Sequence, residues 1–313
     1  MKRTTGRTRR RCAAVSLPIV LAGPTGSGKS ELALRFAQTL HGEIVNYDSV
    51  QIYRGFDIGS AKPSAAERAL VPHHLFDIVD ADAEFNAADY GRVAREVCAS
   101  IATPILAGGT FFYLRALLSG LPEMPGRDEV VRARIRRIAL TPRGAERLHR
   151  WLSKIDPVSG RKIAPADRHR VERALEVWIT SGRPITSWDR ETDDGLPSIK
   201  IGLAVDRNRL GPILDARVEA MFRAGLIEET RGLLERFPAT ARPFGTIGYK
   251  EAAAVLRGEM TEDAAIAETR RRTRAYAKRQ MTWLRSERNV HWVDANDRND
   301  AFAATLRIIE DRA

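Results

Sequence analysis

Cysteine is scarce in this chain, and its scarcity excludes two kinds of structural support. The 313 residues contain only Cys12 and Cys98, and two cysteines without a paired spacing indicate neither a disulfide framework nor a cysteine-ligated zinc site. The six histidines, which include the adjacent His73 and His74, form no spaced ligand set either. We therefore expect a protein of a reducing compartment, the cytoplasm, without structural zinc.

Long apolar runs are also missing. No segment approaches the roughly 18 uninterrupted apolar residues that a membrane-spanning helix needs, so we expect no contact with membranes. A basic stretch before the apolar run at 13–22 imitates a secretory signal, but that run contains Pro18 and leads directly into a glycine-rich loop. We interpret residues 18–21 as a buried first strand instead.

Positive charge is in excess. The chain has 51 Lys and Arg against 40 Asp and Glu, which gives a formal net charge of +11 and a pI near 10.1. Such a balance favours a polyanionic partner, for example a nucleic acid. A generally basic proteome produces the same balance, so the motifs must decide between the two interpretations.

Short apolar runs alternate with helical patterns in the first third of the chain. Strand-like runs lie at 19–22, 43–47 and 104–107, and helical patterns lie at 29–40 and 87–100. This alternation is typical of a parallel β-sheet with helices packed on its faces.

The most specific local motif lies between the first strand and the first helix. Gly23-Pro24-Thr25-Gly26-Ser27-Gly28-Lys29-Ser30 fits the pattern G-x-x-x-x-G-K-[ST] in the expected strand-to-helix context. Its glycines let backbone N–H groups converge on a phosphate, Lys29 adds a positive charge, and the Ser30 hydroxyl can bind Mg²⁺. The motif predicts phosphate binding with Mg²⁺ as cofactor. It leaves the reaction open, although phosphoryl transfer is its usual use.

The pattern changes in the middle of the chain. Amphipathic, arginine-rich segments fill 125–197, and a strand-like run at 199–205 is followed by helical patterns at 209–237 and 261–288. The sequence predicts an α/β protein with a P-loop NTPase-like parallel-sheet core, formed by 18–124 and 198–313, and an inserted all-helical domain at 125–197. The basic tail at 1–17 is predicted to lack fixed structure.

Further motifs follow the phosphate loop in a fixed order. They are Asp48-Ser49-Val50-Gln51-Ile52-Tyr53, Asp57-Ile58-Gly59-Ser60-Ala61-Lys62-Pro63, Pro72-His73-His74-Leu75, Gly108-Gly109-Thr110, Gly248-Tyr249-Lys250-Glu251 and Lys278-Arg279-Gln280. With these motifs the chain resembles the bacterial tRNA dimethylallyltransferases over roughly residues 18–293. Gly26 stands where that family often has Ala. His169 stands where Gln commonly precedes the arginine, which puts a contact of His169 in doubt.

The resemblance implies a reaction at carbon instead of phosphorus. Family members transfer a dimethylallyl group from dimethylallyl diphosphate to the N6 amine of the adenosine immediately 3′ of the anticodon in tRNA. It implies that Lys29 and Arg217 stabilise the departing diphosphate and that Thr110 contacts the adenine. Asp48 follows the second strand at the crevice edge of the sheet and is the candidate base for the amine proton. A magnesium ligand and a helix cap are the alternative interpretations of Asp48.

The tRNA contacts implied by the resemblance are spread along the chain. They are Asp48, Ser49, Val50, Gln51, Thr110, Arg132, His169, Arg170, Arg173, Lys250, Arg274, Lys278 and Arg279. Arg271, Arg274, Lys278 and Arg285 also recur at helical spacing, which predicts a cationic helix face for phosphate contact. A solvated charged face gives the same spacing. We expect a monomer that binds the anticodon arm.

Three other functions would use part of this set. A small-molecule kinase needs the same loop and a strand-end aspartate, but has no use for the arginine-rich insert. An isopentenyltransferase acting on free adenine nucleotides needs neither the insert nor the cationic helix. A non-enzymatic RNA-binding module would leave a complete phosphate loop without a role.

Overall fold

A computed structural model of the chain describes residues 17–188 and 195–312. The chain forms two compact units, which we call the core unit (Met1–Leu118 with Leu196–Ala313) and the helical unit (Ser119–Gly195). The helical unit starts and ends slightly before the predicted insert. The basic tail predicted at 1–17 lies outside the described residues except for Leu17.

The core unit contains a six-stranded parallel sheet. The strands are β1 (Ile19–Ala22), β2 (Glu43–Asn46), β3 (His73–His74), β4 (Pro104–Ala107), β5 (Ile199–Ala204) and β6 (Val290–Asp294). Their order across the sheet is β3-β2-β4-β1-β5-β6, and every neighbouring pair is parallel. Strands β1 and β4 are buried along their full length, as expected for strands covered by helices on both faces. The predicted α/β class with a parallel sheet is confirmed.

Thirteen α-helices are found in the described part of the chain. They are α1 (Lys29–Thr39), α2 (Ala65–Leu70), α3 (Ala87–Ser100), α4 (Phe111–Ser119), α5 (Glu129–Ala139), α6 (Gly144–Ile155), α7 (Pro157–Lys162), α8 (Arg168–Ser181), α9 (Arg207–Arg223), α10 (Leu226–Arg236), α11 (Tyr249–Leu256), α12 (Glu262–Ser286) and α13 (Arg298–Glu310). None of these helices combines the length and the apolar composition that crossing a membrane requires. The sequence pattern predicted neither β6 nor α13.

Helices α1 and α13 cover one region of the sheet in the core unit. The rings of Phe36 in α1 and Phe302 in α13 stack with centroids 4.6 Å apart. Around them, apolar residues of α1, β1, β4, β5 and α13 form one continuous core cluster. The last helix of the chain is therefore packed against the first, and it completes the core that supports the phosphate loop.

Three loops leave the same edge of the sheet. Strands β2, β4 and β1 are direct neighbours, and after their carboxyl ends come Asp48, Thr110 and the phosphate loop 23–30. Since parallel strands all point the same way, their carboxyl ends meet at one edge, where α/β proteins bind ligands.

The helical unit has its own small core. Helices α5, α6 and α8 contribute the buried residues Ile135, Leu148, Leu152, Val171, Ala174 and Leu175. The side chain of Glu176 in α8 is fully buried in this unit and contacts the guanidinium groups of Arg132 and Arg173. A buried carboxylate with two arginine partners is a satisfied charge, because both arginines donate hydrogen bonds to it.

Candidate active site

A cavity of about 610 Å³ opens at the carboxyl edge of the sheet in the core unit. It is lined by the end of the phosphate loop, the turns after β2 and β4, and one face each of α9 and α12. The predicted site residues that line it are Thr25, Gly26, Gly28, Lys29, Ser30, Asp48, Ser49, Val50, Gln51, Thr110 and Arg217. A volume of this size accommodates a small organic diphosphate together with one base.

The phosphate loop has the backbone conformation that its glycines predict. Gly26 and Gly28 have φ angles of 79° and 81°, in the left-handed region where residues with a Cβ are strained. The ammonium of Lys29 donates hydrogen bonds to the carbonyl oxygens of Gly23 (2.8 Å) and Pro24 (2.7 Å). The loop therefore holds the lysine that the motif assigns to phosphate.

Burial changes the acid–base behaviour of Lys29. It lowers the pKa of Lys29 to about 7, the nearby charge of Arg217 contributes to this decrease, and Asp48 opposes it. A buried ammonium with few counter-charges is the environment in which an anionic ligand gains most from an electrostatic contact. This corner of the cavity is therefore suited to an anionic ligand.

Asp48 uses its two carboxylate oxygens differently. Oδ1 accepts hydrogen bonds from the backbone N–H groups of Val50 (2.8 Å) and Gln51 (3.3 Å). Oδ2 faces Gly109, where an added Cβ would lie 2.8 Å from it. No helix begins at the residues after Asp48, so Oδ1 stabilises a turn and the helix-cap interpretation is wrong.

The environment of Asp48 favours the protonated form relative to an exposed carboxylate. Burial raises the pKa of Asp48, while the N–H groups of Val50 and Gln51 and the charges of Lys29 and Arg217 oppose the increase. A raised pKa makes a carboxylate a better proton acceptor near neutral pH, which suits a general base.

Thr110 joins the ends of two strands. Its Oγ1 accepts a hydrogen bond from the N–H of Ser49 (2.9 Å) and donates one to the Ser49 hydroxyl (3.0 Å). Its own N–H donates to the carbonyl of Tyr47 (3.1 Å). Thr110 therefore fixes the turn that presents Asp48 to the cavity.

Gln280 in α12 belongs to the Lys278-Arg279-Gln280 motif, and its role is evident only in the fold. Its Oε1 accepts from the N–H of Thr25 in the phosphate loop (2.7 Å), and its Nε2 donates to the carbonyl of Gly109 (2.8 Å). The Tyr276 hydroxyl donates to the same carbonyl (2.6 Å). One buried amide thus links the phosphate loop to the turn after β4. Gln280 follows Lys278 and Arg279 in the sequence, and nothing in this local pattern indicates a contact with the phosphate loop.

Arg217 reaches the cavity from α9. Burial lowers the pKa of Arg217, and Asp48 opposes this decrease. Within residues 17–188 and 195–312, no hydrogen-bond acceptor or ion-pair partner engages its guanidinium. A cation that lines a cavity without a bound acceptor is available for an anionic ligand.

Several motif residues stabilise the segments next to the cavity through hydrogen bonds and ion pairs. The Glu229 carboxylate accepts from the N–H of Ile58 (2.8 Å) and from the Tyr249 hydroxyl (2.6 Å). The ammonium of Lys62 pairs with Asp57 and Asp77, each at 2.6 Å. These contacts give the 57–63 and 248–251 motifs a structural task.

Not every predicted tRNA contact has a free side chain. The amide of Gln51 donates to the carbonyls of Ser60 (3.0 Å) and Ala61 (3.1 Å), so its N–H groups are engaged. Arg274 is ion-paired with Asp215. Lys250 and Lys278 are exposed and form no ion pair among the described residues. The guanidinium of Arg279 lies 5.8 Å from the ring centroid of Tyr276.

The predicted contacts in the insert belong to the helical unit, whereas the cavity lies in the core unit. Arg132 and Arg173 bind the buried Glu176 at 2.8 and 2.7 Å. Arg170 is exposed and pairs with Asp167 at 2.8 Å, and His169 is exposed. Two of these four side chains therefore have a structural role within their unit, and the other two are accessible.

Comparisons with known proteins agree with the motifs. The family model described as IPP transferase matches residues 51–287. A tRNA dimethylallyltransferase of Solibacter usitatus is 49% identical over 286 residues, which cover 88% of this chain and 92% of that protein. One from Geobacter metallireducens is 44% identical over 296 residues, with 92% and 96% covered.

Solved structures of similar fold extend the comparison. The full-length tRNA isopentenylpyrophosphate transferase of Bacillus halodurans superposes with a TM-score of 0.69 at 34% identity, over 95% of this chain and 98% of that chain. A eukaryotic dimethylallyltransferase acting on tRNA superposes with a TM-score of 0.74 at 26% identity, over 95% and 81%. The resemblance drawn from the motifs is confirmed, and the chain belongs to the IPP transferase family.

Proposed function

We propose that this chain transfers a dimethylallyl group from dimethylallyl diphosphate to tRNA, at the N6 amine of the adenosine immediately 3′ of the anticodon. Diphosphate is the second product. The observation that carries the proposal is one cavity that combines a phosphate loop, an unpaired arginine and a carboxylate oxygen without a hydrogen-bond donor among the described residues. A leaving-group site and a base are the two things that this reaction needs.

The reaction forms one bond and breaks one bond at the allylic carbon. The amine nitrogen attacks this carbon, the carbon–oxygen bond breaks, and its electron pair leaves with the diphosphate. Oδ2 of Asp48 takes the proton that the amine loses, because Oδ1 is bound in the turn. Charge grows on the diphosphate in the transition state, so Lys29, Arg217 and the loop N–H groups stabilise that state most.

Mg²⁺ is the proposed cofactor. The described residues contain no group of three or more His, Cys, Asp or Glu side chains that could enclose a metal ion. Mg²⁺ suits a site with few protein ligands, since it keeps several waters and binds substrate phosphates directly. The exposed Ser30 hydroxyl at the start of α1 and the diphosphate oxygens would hold it. When bound, the ion neutralises negative charge on the leaving group.

The substrate tRNA would be held by exposed cations outside the cavity. Lys250, Lys278 and Arg279 are exposed in the core unit, and Arg170 is exposed in the helical unit. Accessible cations of this kind bind phosphates without reading the base sequence. We further propose that the chain acts as a monomer. We place the activity in the cytoplasm, in keeping with a chain of only two cysteines.

Mass spectrometry of nucleosides from tRNA tests this proposal. The purified chain, Mg²⁺ and dimethylallyl diphosphate are incubated with tRNA carrying adenosine at the position 3′ of the anticodon, and with a variant tRNA carrying guanosine there. We expect N6-dimethylallyladenosine from the first tRNA and none from the second. AMP is the matched small acceptor, and we expect it to be nearly inert.

The other functions give different results in the same experiment. Modification of AMP as efficient as that of tRNA would overturn the tRNA assignment in favour of free nucleotides. Transfer of label from γ-labelled ATP to a small molecule, without prenyl product, would make the chain a kinase. tRNA binding without either product would leave an RNA-binding module.

A further inference from the structure

The first residue of the last helix contacts the phosphate loop. Nη1 of Arg298 donates hydrogen bonds to the carbonyl oxygens of Ser27 (2.7 Å) and Ala295 (3.1 Å). Its Nε lies 3.4 Å from Oε2 of Glu31, in the first turn of α1. The family match covers residues 51–287, so both Arg298 and the phosphate loop lie outside the matched range.

The Arg298 guanidinium also lies close to Gly28 in the phosphate loop. A Cβ added at Gly28 would overlap the guanidinium of Arg298. Gly28 is favoured by its φ angle of 81°, and a side chain at this position would displace the Arg298 guanidinium from the loop.

Binding the Ser27 carbonyl determines where the next N–H group points. The Ser27–Gly28 peptide is planar and trans, as are all peptide bonds described here, so its C=O and N–H point in opposite directions. Arg298 holds the C=O on one side of the loop. The N–H of Gly28 must then point to the other side, and Gly28 lines the cavity.

We infer that Arg298 is a positioning residue of the diphosphate site, which aims the Gly28 N–H at the diphosphate and makes the last helix part of that site. The inference rests on the proposed use of the loop for a diphosphate. A donor fixed before the ligand arrives binds it without the cost of ordering the loop.

Helices α13 and α1 are also joined by contacts that do not involve the phosphate loop. Nη1 of Arg35 in α1 donates to the Arg298 carbonyl (3.4 Å), and the Arg35 guanidinium lies 4.3 Å from the ring centroid of Phe302. Phe302 in turn stacks on Phe36 of α1. These contacts fasten α13 to α1 independently of the loop, which allows packing and positioning to be tested separately.

Three variants of the full-length chain test the inference. Arg298→Met keeps the aliphatic stem and removes the donor, and Arg298→Lys keeps a donor and the charge. Phe302→Leu is the matched control, because it weakens the α13–α1 packing and leaves Arg298 intact. The dissociation constant for inorganic diphosphate with Mg²⁺ is measured by calorimetry at 0.1 M and 0.5 M KCl, with the melting temperature and the KM for tRNA beside it.

We expect Arg298→Met to weaken diphosphate binding about tenfold at both salt concentrations, as loss of one hydrogen bond from a charged donor predicts. Arg298→Lys should stay within about threefold of the parent, Phe302→Leu should bind diphosphate like the parent, and KM for tRNA should be unchanged in all three.

Three results would overturn the inference. If Phe302→Leu weakened diphosphate binding as much as Arg298→Met, or if Arg298→Met did not weaken it, Arg298 would contribute only to helix packing. If the tenfold loss of diphosphate affinity in Arg298→Met disappeared at 0.5 M KCl, Arg298 would act through its charge alone, because salt screens charge and leaves loop geometry intact. Diphosphate binding needs no turnover, so these results stand whether or not the chain prenylates tRNA.

Discussion

At the scale of single residues, the two carboxylate oxygens of Asp48 have different roles, one in the structure of a turn and one in the proposed reaction. Oδ1 is engaged by two backbone N–H groups, and Oδ2 faces Gly109 at the cavity. A substitution that keeps the acceptor at Oδ1 and changes the group at Oδ2 can therefore remove the base without breaking the turn.

Asp48→Asn is that substitution. We expect the single-turnover rate with both substrates saturating to fall by about 10² to 10⁴, the usual contribution of a positioned base. Diphosphate and tRNA affinities should change little, because neither ground state requires proton removal. Asp80→Asn, which changes a half-buried carboxylate paired with Arg54, is the control and should keep the parent rate.

The pH dependence of the same rate provides a second check. A base acts in its deprotonated form, so the rate falls as pH decreases through its pKa. Because burial raises the pKa of Asp48, this fall should begin at higher pH than for an ordinary aspartate, and Asp48→Asn should abolish it. A variant with the parent rate would remove Asp48 from the mechanism. If added Mg²⁺ restored the rate of Asp48→Asn, Asp48 would instead be a ligand of the metal ion.

At the scale of elements, α12 serves the cavity with one face and the solvent with another. Tyr276 and Gln280 line the cavity and bind the Gly109 carbonyl, while Arg271 and Lys278 are exposed. The cations predicted to form one phosphate-binding face differ in their surroundings. Arg271 pairs with Glu268 and Arg274 with Asp215, whereas Lys278 has no acidic partner in the described parts of the chain.

Lys278→Ala should therefore weaken tRNA binding more than Arg271→Ala. Each phosphate contact contributes about one unit to the slope of log affinity against log salt concentration. We expect Lys278→Ala to flatten this slope by about that amount, and Arg271→Ala, the matched control, to change it less because Glu268 already neutralises its charge. Filter binding of tRNA at KCl concentrations between about 50 and 300 mM measures both slopes. Identical slopes for Lys278→Ala and the parent would make Lys278 part of a solvated face.

At the scale of the whole molecule, the two compact units depend on different interactions. The core unit has a large apolar cluster around its sheet, whereas the helical unit adds an ion-pair cluster at the buried Glu176 to a small apolar core. Burial by itself would raise the pKa of Glu176, but hydrogen bonds from Arg132, the Asp128 backbone and Arg173 lower this pKa to about 2.

Glu176→Gln should destabilise the helical unit by about 3 kcal/mol at pH 7, because it leaves Arg173 without its carboxylate and Arg132 with only the longer contact to Glu172. The folded-state pKa is depressed, so the stabilisation is complete above the ordinary pKa of 4.5 and is lost as pH falls toward 2. In urea titrations, the difference in unfolding free energy between the parent and Glu176→Gln should therefore become smaller as pH falls from 4.5 toward 2. Glu146→Gln, at an exposed position of the same unit, should stay within about 0.5 kcal/mol of the parent. An equal effect of both variants would contradict the role of Glu176.

Much of the site follows from local sequence. The phosphate loop is a continuous motif whose geometry depends on its own glycines, and Asp48 and Thr110 follow neighbouring strands, so both were predicted at one edge of the sheet. The roles of Gln280 and Arg298 did not follow. Gln280 contacts the loop across 255 residues of chain and Arg298 across 271, and spacing carries no signal over such a separation.

The sequence by itself determined the parallel α/β class, the phosphate loop and the family, because each depends on local periodicity or on motifs in a fixed order. Only the tertiary structure decided which cations are free. Arg132 and Arg173 bind Glu176, and Arg274 binds Asp215, whereas Arg217 and Lys278 form no ion pair among the described residues. The physical reason is that a charge is neutralised by whatever the fold brings within a few ångströms of it, and composition counts charges without placing them.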